Sequence, residues 1–124
     1  MAIRDTLVAT WVAALACGLV ACGGSQNRSQ TPSPGAGPDV TVTIAKGQVT
    51  PTNATLQAKV HQPITLTVTS DAPDELHVHS VPDHKFEVAA APDQKFQFSV
   101  DVPGNVEVEL HHLDRTIATI QVQP

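Results

Sequence analysis

Sulfur and large aromatic side chains are scarce in this chain. It has two Cys, one Met, one Trp and no Tyr, and Met1, Trp11, Cys17 and Cys22 all fall in its first 22 residues. The remainder carries no thiol and no thioether, which excludes a disulfide framework and thiolate-ligated metals from that part. Basic residues are also few. Seven Lys and Arg stand against twelve Asp and Glu, for a formal net charge of −5. That balance argues against nucleic acid and against a polybasic membrane-binding surface. There is no phosphate-cradling Gly loop, and no Ser-His-Asp arrangement stands out. With no nucleophile and base visibly organised, the expectation is that the protein is not an enzyme.

The chain also lacks a hydrophobic run long enough for a confident spanning helix. Its apolar stretch, Leu7 to Ala21, is short and follows a charged start at Arg4 and Asp5. That is the shape of a secretory signal. The stretch ends in Leu19-Val20-Ala21-Cys22, followed by Gly23-Gly24-Ser25. These residues resemble the lipobox of bacterial lipoproteins, and Cys17, after Ala14-Leu15-Ala16, is a weaker second candidate. The resemblance implies a signal peptide over residues 1–21, lipidation (palmitate among the acyl groups) at Cys22, and anchoring at the extracytoplasmic face of a bacterial cell membrane. Two or more acyl chains anchor stably where one does not, at about 0.8 kcal/mol per buried CH₂.

Residues 22–38 then read as the lipidated Cys and a tether. From Gly23 to Pro38 there is no Leu, Ile, Val or aromatic side chain. Such a segment buries too little to order itself, and its Gly, Ser and Pro set a loose, partly extended spacer.

From residue 39 to 124 the pattern changes. Val40 to Ile44, Ile64 to Val68 and Val106 to Leu110 alternate apolar and polar residues. Period-two alternation predicts strands with one buried and one wet face. Thr55–Val60, Glu75–Ser80, Lys85–Val88, Lys95–Val100 and Thr116–Val122 extend the set to eight strands. Pro73-Asp74, Pro82-Asp83, Pro92-Asp93 and Pro103-Gly104 punctuate it at intervals of nine, ten and eleven residues. Short strands with turns at this spacing predict an all-β sandwich or barrel. Lys85-Phe86-Glu87-Val88 and Lys95-Phe96-Gln97-Phe98 echo one another and are expected to form a hairpin.

The order of these features resembles a cupredoxin-like domain, which implies an all-β Greek-key β-sandwich of about seven or eight strands. Lys59-Val60-His61-Gln62-Pro63-Ile64 matches an entry motif of that family, and Asp101-Val102-Pro103-Gly104 through Leu110 matches its penultimate strand. Asp74-Glu75-Leu76-His77-Val78-His79 stands where the family carries its first copper-binding His. The resemblance implies a copper site, but Leu110 occupies the position of the family's Cys. A blue-copper centre needs a thiolate, two imidazoles and usually a thioether. The expectation is therefore a domain that is not a blue-copper electron carrier.

The remaining candidate chemistry is imidazole. In a strand, residues i and i+2 share a face, so His77 and His79 face together with Glu75. Such a pair is a half-site suited to Cu(II) or Zn(II). The resemblance implies that further ligands would come from His111, which has the parity of Glu107 and Glu109, or from His112, near the end of the penultimate strand. A wet strand face tolerates His equally well without a metal. His61 and His84 read as surface residues, and Asp74, Glu75, Glu107 and Glu109 as solubilising acids. Two functions follow: a membrane-anchored, non-catalytic envelope module binding an unidentified protein or ligand, or a Cu(II) or Zn(II) binder using His77 and His79 with His111 or His112.

Overall fold

The structure, a computed structural model, describes residues 35–124. Cys22, the lipobox and most of the tether lie outside the described residues.

Alternation becomes strand wherever the apolar residues share a face. The described chain forms β1 (Asp39–Ala45), β2 (Gln48–Thr50), β3 (Ala54–Lys59), β4 (Ile64–Ser70), β5 (Asp74–Val78), β6 (His84–Val88), β7 (Gln94–Phe98), β8 (Gly104–Leu110) and β9 (Arg115–Gln123). These make a four-stranded sheet, β2-β1-β4-β7, and a five-stranded sheet, β3-β9-β8-β5-β6. Two pairings are parallel, β1 with β4 and β3 with β9, and the others are antiparallel. The chain thus crosses repeatedly between the sheets, as a Greek key does and a meander does not. There are nine strands rather than eight, because β2 is a three-residue edge strand too short to show a period.

The core lies between the sheets. Val42, Ile64, Leu66 and Val68 point into it from one side, and Leu76, Val78, Val108, Leu110 and Ile120 from the other, all of them fully buried. Each such side chain contributes about 1.5–3 kcal/mol through burial. Alternation fails at one place. A register shift between Val108 and Glu109 leaves β9 with one extra residue, and Ile117 and Ala118 in succession are both buried. The bulge falls on β9, so β8 keeps an unbroken phase: Val106, Val108 and Leu110 inward, Glu107 and Glu109 outward.

The expected hairpin of Lys85–Val88 with Lys95–Phe98 does not form. β6 pairs with β5 and β7 with β4, so the two echoing segments are edge strands of opposite sheets. The connector is drawn onto β4. Ser70 N–H donates to Ala91 O (3.1 Å), and Asp93 N–H donates to Thr69 Oγ1 (3.1 Å). The rings of Phe86 and Phe96 then meet across the sandwich edge with centroids 5.2 Å apart.

The folded unit also begins earlier than residue 39. Gln62 Nε2 donates to Ala36 O (2.8 Å), Gly37 N–H to Pro63 O (2.9 Å) and Thr65 N–H to Pro38 O (3.0 Å). A Cβ at Gly37 would collide with the Pro63 carbonyl, so only glycine allows this approach.

Leu66→Ala, at a site with no exposure, is expected to lower stability by about 2–5 kcal/mol in urea unfolding. Glu87→Ala, on the outer face of β6, should change it by about 0.5 kcal/mol or less.

Candidate metal centre

The antiparallel register of β5 on β8 pairs Leu76 with Leu110, His77 with Glu109 and Val78 with Val108. The same register continues past the strand ends. His111 N–H donates to Glu75 O (3.0 Å), and His79 N–H donates to Glu107 O (2.9 Å). Glu75, His77, His79, Glu107, Glu109 and His111 therefore stand together on the outer face of the five-stranded sheet. On the other side, β6 sets Lys85 opposite His77 and leads back through Asp83.

Three imidazoles converge there. One ring nitrogen from each of His77, His79 and His111 lies within 4.8 Å of the others. His77 Nδ1 is 3.0 Å from His111 Nε2, and the His77 and His79 ring centroids are 3.9 Å apart. Each ring also has a carboxylate at one of its nitrogens. His77 Nε2 meets Asp83 Oδ1 at 2.7 Å, His79 Nε2 meets Glu109 Oε2 at 2.9 Å, and His111 Nδ1 meets Glu75 Oε1 at 3.0 Å. Lys85 Nζ lies 3.9 Å from the same Glu75 oxygen.

The hydrogen-bond chemistry constrains what can lie between the rings. A carboxylate accepts, so His77 Nε2 and His111 Nδ1 are donors. With both rings neutral, His77 Nδ1 and His111 Nε2 then turn lone pairs toward one another, an arrangement that a cation between them would satisfy. Two imidazoles bound to one ion at about 2.0–2.1 Å in tetrahedral geometry are about 3.3 Å apart. The observed 3.0 Å is already close to that separation. Exposed ion pairs are worth only about 0–1 kcal/mol each, so these three pairs matter little for stability. Their effect is to fix the orientation of each ring, with the other nitrogens of His77 and His111 turned toward one another.

Asp83 shows the electrostatic consequence. Its carboxyl lies below the ordinary carboxylate value, chiefly because His77 donates a hydrogen bond to the ionised form. A depressed value means that the contribution of this pair is present at neutral pH and is lost as the pH falls through the carboxylate range.

The remaining histidines lie elsewhere. His112, a candidate ligand by sequence, is not in the cluster. The chain turns after Leu110, and the His112 ring lies two-thirds exposed, with Nδ1 3.4 Å from Pro73 O. His61 is exposed and pairs with Asp101 (3.1 Å). His84 is not a plain surface residue. It opens β6 on the inward face, half-buried, with its ring parallel to Phe86 and Nε2 donating to Ser99 O (3.1 Å).

The acids also differ from the reading as solubilising groups. Glu75 and Glu109 hold imidazoles, and Asp74 is buried with 2% exposure. The Asp74 carboxylate accepts from Glu75 N–H (2.7 Å), His112 N–H (2.8 Å) and Leu113 N–H (3.3 Å). It therefore ties the β8–β9 turn to the start of β5 and fixes the residue preceding that turn, His111. Pro73-Asp74 does not make the expected turn of its own, because Asp74 is already the first residue of β5.

Two outcomes follow. Asp74→Ala leaves buried amides without an acceptor and should cost about 1–3 kcal/mol in urea unfolding. In an NMR titration, the Asp83 carboxyl should rise towards its ordinary value in His77→Ala and stay low in His112→Ala.

No family model and no curated protein matches the chain. Solved structures do resemble it. A multicopper oxidase aligns over 72% of this chain at 13% identity with a TM-score of 0.52, and the chain spans 39% of that oxidase. A variant of amicyanin in its reduced state aligns over 75% of this chain and 87% of its own at 17% identity, with a TM-score of 0.48. At these identities the likeness is one of fold: the described chain is an all-β sandwich of cupredoxin-like type.

Proposed function

We propose that this protein is a lipid-anchored, non-catalytic domain that binds a divalent metal ion through His77, His79 and His111 on the outer face of its sandwich. One observation carries the reading: three converging imidazoles, each backed by its own carboxylate. A wet strand face that merely tolerates histidine gives no reason for all three rings to be held in this way. Carboxylate–imidazole pairs of this kind orient metal ligands and raise their basicity.

The donor set selects among metals. Imidazole suits Cu(II), Zn(II) and Ni(II), and the divalent affinity order places Cu(II) above Zn(II). A blue-copper electron carrier does not fit, since residues 35–124 contain neither Cys nor Met. The interior position of Leu110 is fully apolar, packed with Leu76 and Val78. An ion would thus lie outside the core, on groups that compete for it with protons. Binding weakens as the pH falls, because each ligand nitrogen must be unprotonated.

The anchoring half of the proposal rests on Leu19-Val20-Ala21-Cys22 and the tether after it. Together they describe a metal-binding module held off an extracytoplasmic membrane face.

The full chain, solubilised in detergent and titrated with Cu²⁺, should develop a visible band saturating at one ion per chain. His77→Ala or His111→Ala should lose more affinity than the roughly 10–100-fold expected for Asp83→Asn, Glu75→Gln or Glu109→Gln. His112→Ala should titrate like the parent. Equal binding by the parent and a His77→Ala/His111→Ala double variant would refute the site. Separately, Cys22→Ala should move the protein from the membrane to the soluble fraction, and retention in the membrane would refute the anchor.

A further inference from the structure

We infer that an ion held by His77, His79 and His111 keeps a coordination position open to an imidazole donor from outside the chain, so that the domain passes its ion on by ligand exchange. This rests on the metal reading above. Four features support it. The three rings come from one face of one sheet, so they approach an ion from one side. Three carboxylates beside them are engaged already, Asp83 by His77, Glu109 by His79 and Glu75 by His111, and Glu107, the other acid of that face, is not part of the converging group. The chain's other three histidines are held elsewhere, and residues 23–38 contain no His, Cys, Asp or Glu. Two of the donor rings are also accessible, with side-chain exposures of 43% for His79 and 37% for His111, while His77 lies deeper at 12%.

The surface beside His79 gives such a donor a way in. A shallow depression lined by His79, Ser80, Val81, Val102 and Pro103 adjoins the cluster. Val81 and Val102 are the two large apolar side chains most exposed among the described residues, at 59% and 49%. No charged group lines that approach.

The exchange balances without redox change. A bond forms between the ion and the incoming imidazole nitrogen, and a bond to one resident imidazole breaks. The ion keeps its charge and oxidation state. As the remaining bonds break in turn, His77 Nδ1 and His111 Nε2 return to facing one another at 3.0 Å.

The test uses the full chain in detergent, loaded with one equivalent of Cu²⁺. Adding imidazole should shift the visible band saturably before copper is lost. Transfer to free histidine should be first order in histidine, with tenfold more ligand giving about tenfold faster loss. A peptide with a single internal histidine distinguishes the sources. Transfer to both assigns the position to protein side chains as well as small ligands, and transfer to free histidine alone assigns it to small ligands. A rate independent of histidine concentration, with no imidazole shift, overturns the inference and leaves the metal site standing. Absence of any copper band at loading overturns both.

Discussion

The site depends on the register between β5 and β8. With His77 opposite Glu109, every imidazole and carboxylate of the cluster falls on the outer face, and every Leu and Val of the two strands falls on the core. A slip of one residue would exchange the faces. Moving β5 in this way would bury His77, His79 and Glu75 and expose Leu76 and Val78. The hydrophobic term that holds the sandwich together therefore also sets the positions of the rings. The extra residue between the sheet's irregular strands is taken up by β9, where Ile117 and Ala118 are both buried. Bulges commonly lie beside functional residues and re-aim one strand. This one leaves the ligand-bearing strand in phase.

Charge completes what register begins. A bare group of three imidazoles on a wet face would sample many rotamers and act as a poor ligand set. Here each ring is tied to a carboxylate from a different place: Asp83 before β6, Glu75 on β5 and Glu109 on β8. Asp74 adds a backbone constraint from inside, holding the turn that follows His111. The cluster is thus fixed from the outer nitrogens and from the main chain together. The remaining nitrogens, His77 Nδ1 and His111 Nε2, are left facing one another.

Local chemistry was legible in the sequence, and pairing was not. Alternation marked eight strands, and parity correctly set Glu75, His77 and His79 on one face and His111 with Glu107 and Glu109. The choice between His111 and His112 stayed open because it depends on where the chain leaves β8, which Asp74 decides from 38 residues away. The echo of Lys85-Phe86 in Lys95-Phe96 suggested a hairpin because two amphipathic strands of the same pattern are equally suited to pairing. Which neighbours they found was decided by hydrogen bonds from β4 to the connector. Asp83, Glu75 and Glu109 could have been anticipated as partners only once the strand order was known. Parity predicts a face, and strand order predicts who shares it.

The location of the cluster separates folding from binding. In small domains whose ligands come from a shared interior, metal and fold form together, and the apo chain is unfolded. Here the interior facing the ligand strands is closed by fully buried Leu76, Val78, Val108 and Leu110. Nothing in that core requires an ion. Binding then adds to stability only by mass action, about 2.7 kcal/mol at a ligand concentration one hundred times Kd. Without an ion, His77 and His111 are still held by their carboxylates. A site built on the outside of a finished sandwich can fill and empty without repacking the fold. That property suits an ion that is handed on better than one that is kept.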